Sequence, residues 1–211
     1  MQGASLMAWM NYHHRDIHGK QCTWMGVTAL KNPLDAWIYQ EILYEVKPDI
    51  ILELGNNEGG GTLFLANMCD LLGHGQVIGV DINHEVFKAS HPRIELITGD
   101  TTSDEVIEQV RAKCEGKRVL IIHDAAHTKE IVLRDLRNYS PLVAVGSYLI
   151  VEDTSIGIPG FKDGPFFIPR QNTPLQSIDE FINENPNFVI DESRERYILT
   201  ENYRGFLRRV A

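Results

Sequence analysis

Hydrophobic positions along this chain follow two rhythms. From Asn32 onward, short unbroken apolar runs alternate with stretches in which apolar residues recur every three or four positions. Asn32-Pro33 reads as a helix N-cap with proline at the first helical position. Leu34, Trp37, Ile38, Ile42 and Val46 follow at helical spacing until Pro48 stops them, and Trp37 is expected in the core. Runs at 49–54, 76–80, 94–98, 119–122 and 147–151 predict strands. Helices are predicted at 62–72, ending at Gly73, at 104–114 behind the cap Ser103, at 129–137 and at 174–184. Residues 84–89 make a short helix at best. The strands are continuous apolar runs rather than alternating ones, which predicts a parallel sheet with helices on both faces. Runs at 188–190 and 197–200 predict a closing pair of antiparallel character, so the expectation is a mostly parallel, seven-stranded α/β sheet.

Two segments break the rhythm. Residues 1–31 have no clean period and carry Trp9, Tyr12, His13, His14, His18 and Trp24. Three histidines within six residues could hold a metal. Without a partnering Cys/His set, they read instead as part of a cap that packs on the main domain (32–211) or borders a substrate pocket. Residues 155–174 are rich in Gly, Pro and Phe and read as a long loop, a lid or binding loop.

Composition narrows the classes. A net charge of −9 over 211 residues lacks the basic surface of non-specific nucleic-acid binding. No apolar stretch approaches the ~20 residues of a membrane span, and no signal-peptide pattern opens the chain. Cys22, Cys69 and Cys114 are far apart and odd in number, which reads as reduced thiols in a cytoplasmic protein.

The chemistry gathers at one place. Residues 50–61, IILELGNNEGGG, are a strand, an acid (Glu53) and a glycine-rich turn before a helix, the layout of a nucleotide-like site. The alternative is a turn that only packs strand to helix. The strand ends then deliver Glu53, Asp81, Asp100, Asp124 and the pair Glu152-Asp153 to the edge where open α/β sheets bind ligands. Asp81 stands where a ribose-binding acid belongs. Gly55 is followed by Asn56, Asn57 and Glu58, which does not fit the dinucleotide fingerprint, and Glu58 would repel a pyrophosphate. A ribose-bearing cofactor with a positive centre, such as S-adenosylmethionine, suits this acidic surround. Asp124, Glu152 and Asp153, without cysteine, favour a hard divalent ion. His127 is either a base beside a substrate hydroxyl or a helix-start histidine satisfied by a neighbouring carboxylate.

Residues 23–49, 53–61, 124–130, 139–154 and 188–209 together resemble the cephalosporin hydroxylase family, which also includes rhamnosyl O-methyltransferases. The resemblance implies a Rossmann-like class I methyltransferase fold, S-adenosylmethionine and Mg²⁺ (or Mn²⁺) as cofactors, and a homo-oligomer. It implies Asp124, Glu152 and Asp153 as metal ligands. By similarity to catechol O-methyltransferases, His127 would be the base beside Asp124. The expected cofactor contacts are Glu53, Gly55, Asn56, Gly59, Gly61, Thr62, Asp81, Ile82, Asp100, Thr101 and Asp124. Two departures stand in the cofactor loop, Glu58 for the family's arginine and Gly61 for its serine, with Thr62 the nearest replacement hydroxyl. Tyr12, His14, Trp24, Gln40 and Phe166 are the expected acceptor contacts. The expected reaction is Mg²⁺-dependent O-methylation of a small natural product or sugar. The alternatives are a nucleotide-cofactor oxidoreductase or hydroxylase, which in the non-haem iron class needs two histidines and one carboxylate, and a non-catalytic relative that binds the cofactor.

Overall fold

The computed structural model describes residues 5–18, 21–161 and 172–211. Its centre is a seven-stranded sheet. In chain order the strands are β1 (Thr23–Trp24) and β2 (Val27–Thr28), a separate hairpin, then β3 (Ile50–Leu54), β4 (Gln76–Asp81), β5 (Ile94–Thr98), β6 (Val119–His123), β7 (Tyr148–Val151), β8 (Phe188–Ile190) and β9 (Phe206–Arg209). The large sheet runs β5-β4-β3-β6-β7-β9-β8; β3 to β7 are parallel, and β9 lies antiparallel between β7 and β8. The order reverses between β3 and β6, so the crevice of a doubly wound sheet opens beyond their C-terminal ends.

The helices are α1 (Leu6–Tyr12), α2 (Pro33–Val46), α3 (Gly60–Leu72), α4 (Asp104–Cys114), α5 (Lys129–Tyr139) and α6 (Pro174–Glu184). Strand side chains alternate between two cores. Ile50, Leu52 and Leu54 point into a core shared with α4, α5 and α6, while Ile51, Val77 and Ile122 point into one shared with α2 and α3. All five β3 residues are buried, as a strand covered on both faces requires. Among the described residues, no helix is long and apolar enough to cross a membrane.

Three expectations need correction. Trp37 is not core: the buried stripe of α2 is Asp35, Ile38, Tyr39, Ile42, Leu43 and Val46, and Trp37 lies off it, 58% exposed. Residues 197–200 form no strand, because Ile198 sits at φ 67, a left-handed conformation that a β-branched residue in a ladder does not adopt. The last strand is instead Phe206–Arg209, which enters beside β7 at Gly205, where a Cβ would lie 2.2 Å from the Val151 carbonyl oxygen. Residues 84–89 form a turn rather than a helix.

The N-terminal segment is ordered by local chemistry and by docking. Ser5 caps α1, a wide π-type turn follows at His13–His18, and the β1–β2 hairpin lies on α3. There the Trp24 indole N–H donates to Asn67 Oδ1 at 2.8 Å, and its ring meets Phe64 edge-on. A Cβ on Gly60 would lie 2.2 Å from the Thr28 carbonyl oxygen, so only glycine lets the hairpin sit this close to the helix start.

Candidate functional site

The β3 end and its turn form a braced shelf. Glu53 is buried and accepts hydrogen bonds from Asn56 Nδ2 at 2.8 Å and from the Thr62 hydroxyl. Burial pushes its carboxyl up, against the opposing pull of Lys31 and those donors. The Asn56 and Asn57 amides donate to Asp81 Oδ2 at 2.8 and 3.1 Å, which locks the turn to β4. Gly55, at φ 89, is required for a second reason: a Cβ would lie 2.2 Å from the Asp124 carbonyl oxygen. Glu58 turns away and pairs with Lys88 at 2.5 Å, so its charge is neutralised outside the crevice.

Two adjoining cavities follow this shelf. The larger, about 360 Å³, is lined by Glu53, Gly55, Asn56, Gly61, Asp81, Asp124, His127 and Asp153 among others. A smaller one of about 200 Å³ shares Gly55, Asp81 and Ala125 with it and adds Ile82, Asp100 and Thr101. The expected cofactor residues are thus brought together, with two exceptions. Gly59 packs against the Phe87 ring, and Thr62 is fully buried with its hydroxyl spent on Glu53.

The strand ends of β6 and β7 carry a line of alternating charge that the spacing does not anticipate. Tyr39 donates to Glu152 Oε1 at 2.6 Å; the Lys31 ammonium donates to Glu152 Oε2 at 2.5 Å and to Asp124 Oδ2 at 2.8 Å. On the far side of Asp124, His127 Nε2 lies 3.8 Å from Asp124 Oδ1 and 2.7 Å from Asp153 Oδ2. Burial alone would lower the Lys31 pKa, but Asp124 and Glu152 outweigh it and hold it well above the ordinary lysine value. Asp124 is the mirror case: burial would raise it, and Lys31 with His127 keeps it low. Glu152, more deeply buried, is held up by desolvation. Burial would lower His127 too, yet Asp124 and Asp153 raise it to about 11. Asp153 sits at φ 56, a strained backbone of the kind found where a side chain must be aimed.

Ligand atoms of Asp124, His127 and Asp153 all lie within 4.8 Å of one another. His127 Nε2 meets Asp153 as an ion pair at 2.7 Å, although the geometry falls short of a hydrogen bond. The carboxylates of Asp124 and Asp153, which face Lys31 and His127 here, are the oxygen donors that a hard divalent ion would take. Glu152 is not in this group; its carboxylate faces Lys31 and Tyr39.

The acceptor candidates divide. Trp24 and Gln40 line an apolar cavity of about 450 Å³ with Trp37, Phe64 and Met68, and it meets the polar cavity at Ala29, Lys31 and Gly61. His14 faces Glu201 and the edge of Phe161 instead, and Tyr12 ends α1 half-buried. Phe166 lies outside the described residues. Lys31 and Tyr39 are the site residues with no sequence signal. A lysine before a helix cap is ordinarily solvated, and Tyr39 reads as core until Glu152 is placed opposite its hydroxyl.

A family model described as Rhamnosyl O-methyltransferase/CmcI matches residues 17–210. The chain is 34% identical over 197 residues to a rhamnosyl O-methyltransferase of Mycobacterium leprae (strain TN), covering 88% of this chain and 82% of that one. It is 30% identical over 212 residues to the rhamnosyl O-methyltransferase of Mycobacterium tuberculosis (strain ATCC 25618 / H37Rv), covering 93% and 81%. A solved structure of cmcI with Mg-SAM shares the fold, with TM-score 0.70 and 23% identity over 90% of this chain and 77% of that one. Matched over nearly its whole length, the chain belongs to the rhamnosyl O-methyltransferase/CmcI family.

Proposed function

We propose that this protein transfers a methyl group from S-adenosylmethionine to a hydroxyl of a small natural product or sugar, with Mg²⁺ or a similar hard ion at the sheet edge. The observation that carries the reading is the gathering of Asp124, His127 and Asp153 on the wall of the cavity that Gly55 and Asp81 also line. Relatives named rhamnosyl O-methyltransferase and a neighbour solved with Mg-SAM support it.

S-adenosylmethionine supplies an electrophilic methyl group, and the two adjoining cavities offer its ribose the Asp81 carboxylate and its base the Asp100–Thr101 strand end. The sulfonium charge suits walls lined by Asp81, Asp124 and Asp153. A divalent ion held by Asp124 and Asp153, with Glu152 behind Lys31, would lower the pKa of a nearby hydroxyl. His127 then has a proton-handling role set by its neighbours. With both carboxylates turned on it, the imidazole stays protonated at neutral pH. A divalent ion held by those carboxylates would remove the charges that keep the imidazole protonated, and Nε2 is placed to take the acceptor's proton. Lys31 keeps Asp124 ionised and oriented throughout. Trp24, Gln40 and the apolar cavity would hold the body of the acceptor, a lipid-like or aromatic aglycone being the chemistry such walls favour.

Calorimetric titration of S-adenosylmethionine with and without Mg²⁺, followed by methyl transfer to rhamnosylated acceptors, tests this reading. Binding strengthened by Mg²⁺ and a methylated product are expected. Binding of a nicotinamide cofactor in its place would reject the proposal.

A further inference from the structure

The three N-terminal histidines are not used by the chemistry above. His13 and His18 are buried, and tertiary folding brings them and His14 onto Glu201, a buried residue from the turn before β9. His14 Nδ1 lies 3.4 Å from Glu201 Oε2 and 3.4 Å from His18 Nδ1. His13 Nδ1 lies 3.6 Å from Glu201 Oε1, on the other side of the same carboxylate, and is a buried nitrogen with no hydrogen-bond partner. We propose that His14, His18 and Glu201, whose ligand atoms all lie within 4.8 Å of one another, form a second metal site, which takes a zinc-class divalent ion and is distinct from the hard-ion cluster at Asp124.

Spacing is the first argument. A tetrahedral ion with bonds of about 2.0–2.1 Å separates its ligand atoms by about 3.3 Å. The His14–Glu201 and His14–His18 separations, both 3.4 Å, match that edge without rearrangement. Tautomer is the second. His18 Nε2 is hydrogen-bonded to the Leu30 carbonyl oxygen, which fixes its proton there and leaves the Nδ1 lone pair facing His14 and Glu201. A ligating histidine is held this way, one nitrogen on a backbone carbonyl and the other on the ion. Glu201 is braced in turn by the Ser155 hydroxyl at 2.8 Å, and its backbone amide donates to Asp35 at 2.8 Å. The π-type turn at His13–His18 is the third. Such turns cluster at functional sites, and here the turn brings neighbouring imidazoles to one carboxylate.

Donor chemistry sets the class of ion. Imidazoles with one carboxylate suit Zn²⁺, Co²⁺ and related borderline ions, not the all-oxygen preference of Mg²⁺ or Ca²⁺. The two sites share no ligand. An ion here ties the segment between α1 and β1 to the turn that enters β9, across most of the chain's length.

Co²⁺ titrated into the untagged full-length protein in excess Mg²⁺ tests the site through its visible absorption. The expected result is one equivalent bound with the intense band of a tetrahedral ion, retained in Asp124→Asn. Glu201→Gln and His18→Gln, each checked for folding by circular dichroism, should lose at least about tenfold in affinity. X-ray absorption of the zinc-loaded wild-type chain, which needs no variant, should count two imidazoles around the ion. No band in the wild type, a band that survives both variants, or one lost only in Asp124→Asn would overturn the proposal.

Discussion

The two cavities that meet at Lys31 are built on opposite terms. In the polar one, the atoms facing the crevice are fixed by backbone: the Asn56 and Asn57 amides hold Asp81, strand ends aim Asp124 and Asp153, and Gly55 brings the turn against the Asp124 peptide. The apolar one is shaped by side chains from the hairpin, α2 and α3, with Trp24, Trp37, Phe64 and Met68 on its walls. Methyl transfer, the role proposed for the polar cavity, needs positions held to about 0.5 Å, which strand ends supply. Holding a bulky acceptor, the role proposed for the apolar cavity, needs shape, which packed side chains supply. Lys31, on the wall of both cavities, is where the two requirements meet.

The sharpest test of this contrast acts on the polar side. Asp124→Asn should reduce methyl-transfer turnover by ~10³-fold or more, since positioning and charge at the reacting oxygen are lost together. Its thermal stability should change far less, and steady-state kinetics beside a melting curve separate the two. Lys31→Met comes next. It leaves Asp124 and Glu152 facing each other without their shared cation, and breaking a buried pair costs ~3–5 kcal/mol. Denaturant unfolding should show that loss, with partial recovery in Mg²⁺; an unchanged midpoint would contradict the central place given to Lys31.

Gly61→Ser should be smaller. The serine Cβ would lie 2.8 Å from Lys31 Cε and 3.0 Å from Glu53 Oε1, an overpacking of ~1–3 kcal/mol. Because the clash is with Lys31, the Gly61→Ser/Lys31→Ala double variant should be less destabilised than the sum of its parts, readable as a coupling energy. Trp37→Ala is the smallest in stability, within ~0.5 kcal/mol for an exposed side chain. Its effect should fall on the KM for the acceptor and leave S-adenosylmethionine affinity unmoved. A change in cofactor affinity would mean that the two cavities are not separable.

The apolar runs and their alternation with helical stretches were enough to read the parallel sheet and most of its helices. Burial on both faces of β3, β4, β6 and β7 leaves a continuous hydrophobic signature that local chemistry cannot imitate, while the edge strand β5 is mostly exposed. The acids at the strand ends were legible for the same reason, since the end of each run marks the edge of the sheet. Trp37 was misread because one aromatic at helical spacing does not reveal on which side of the buried stripe it lies. The last strand was misplaced because Tyr197–Thr200 is the more apolar run and Phe206–Arg209 carries two arginines, yet a positive φ at Ile198 keeps the first out of the ladder. What only the tertiary structure decided are contacts between distant segments: Lys31 across 93 residues to Asp124, Tyr39 across 113 to Glu152, and His13, His14 and His18 onto Glu201. Periodicity reports which side of an element is dry. It carries no record of which charge from elsewhere in the chain will be buried against it, because that pairing is settled by packing, where an uncompensated charge costs more than any local preference can offset.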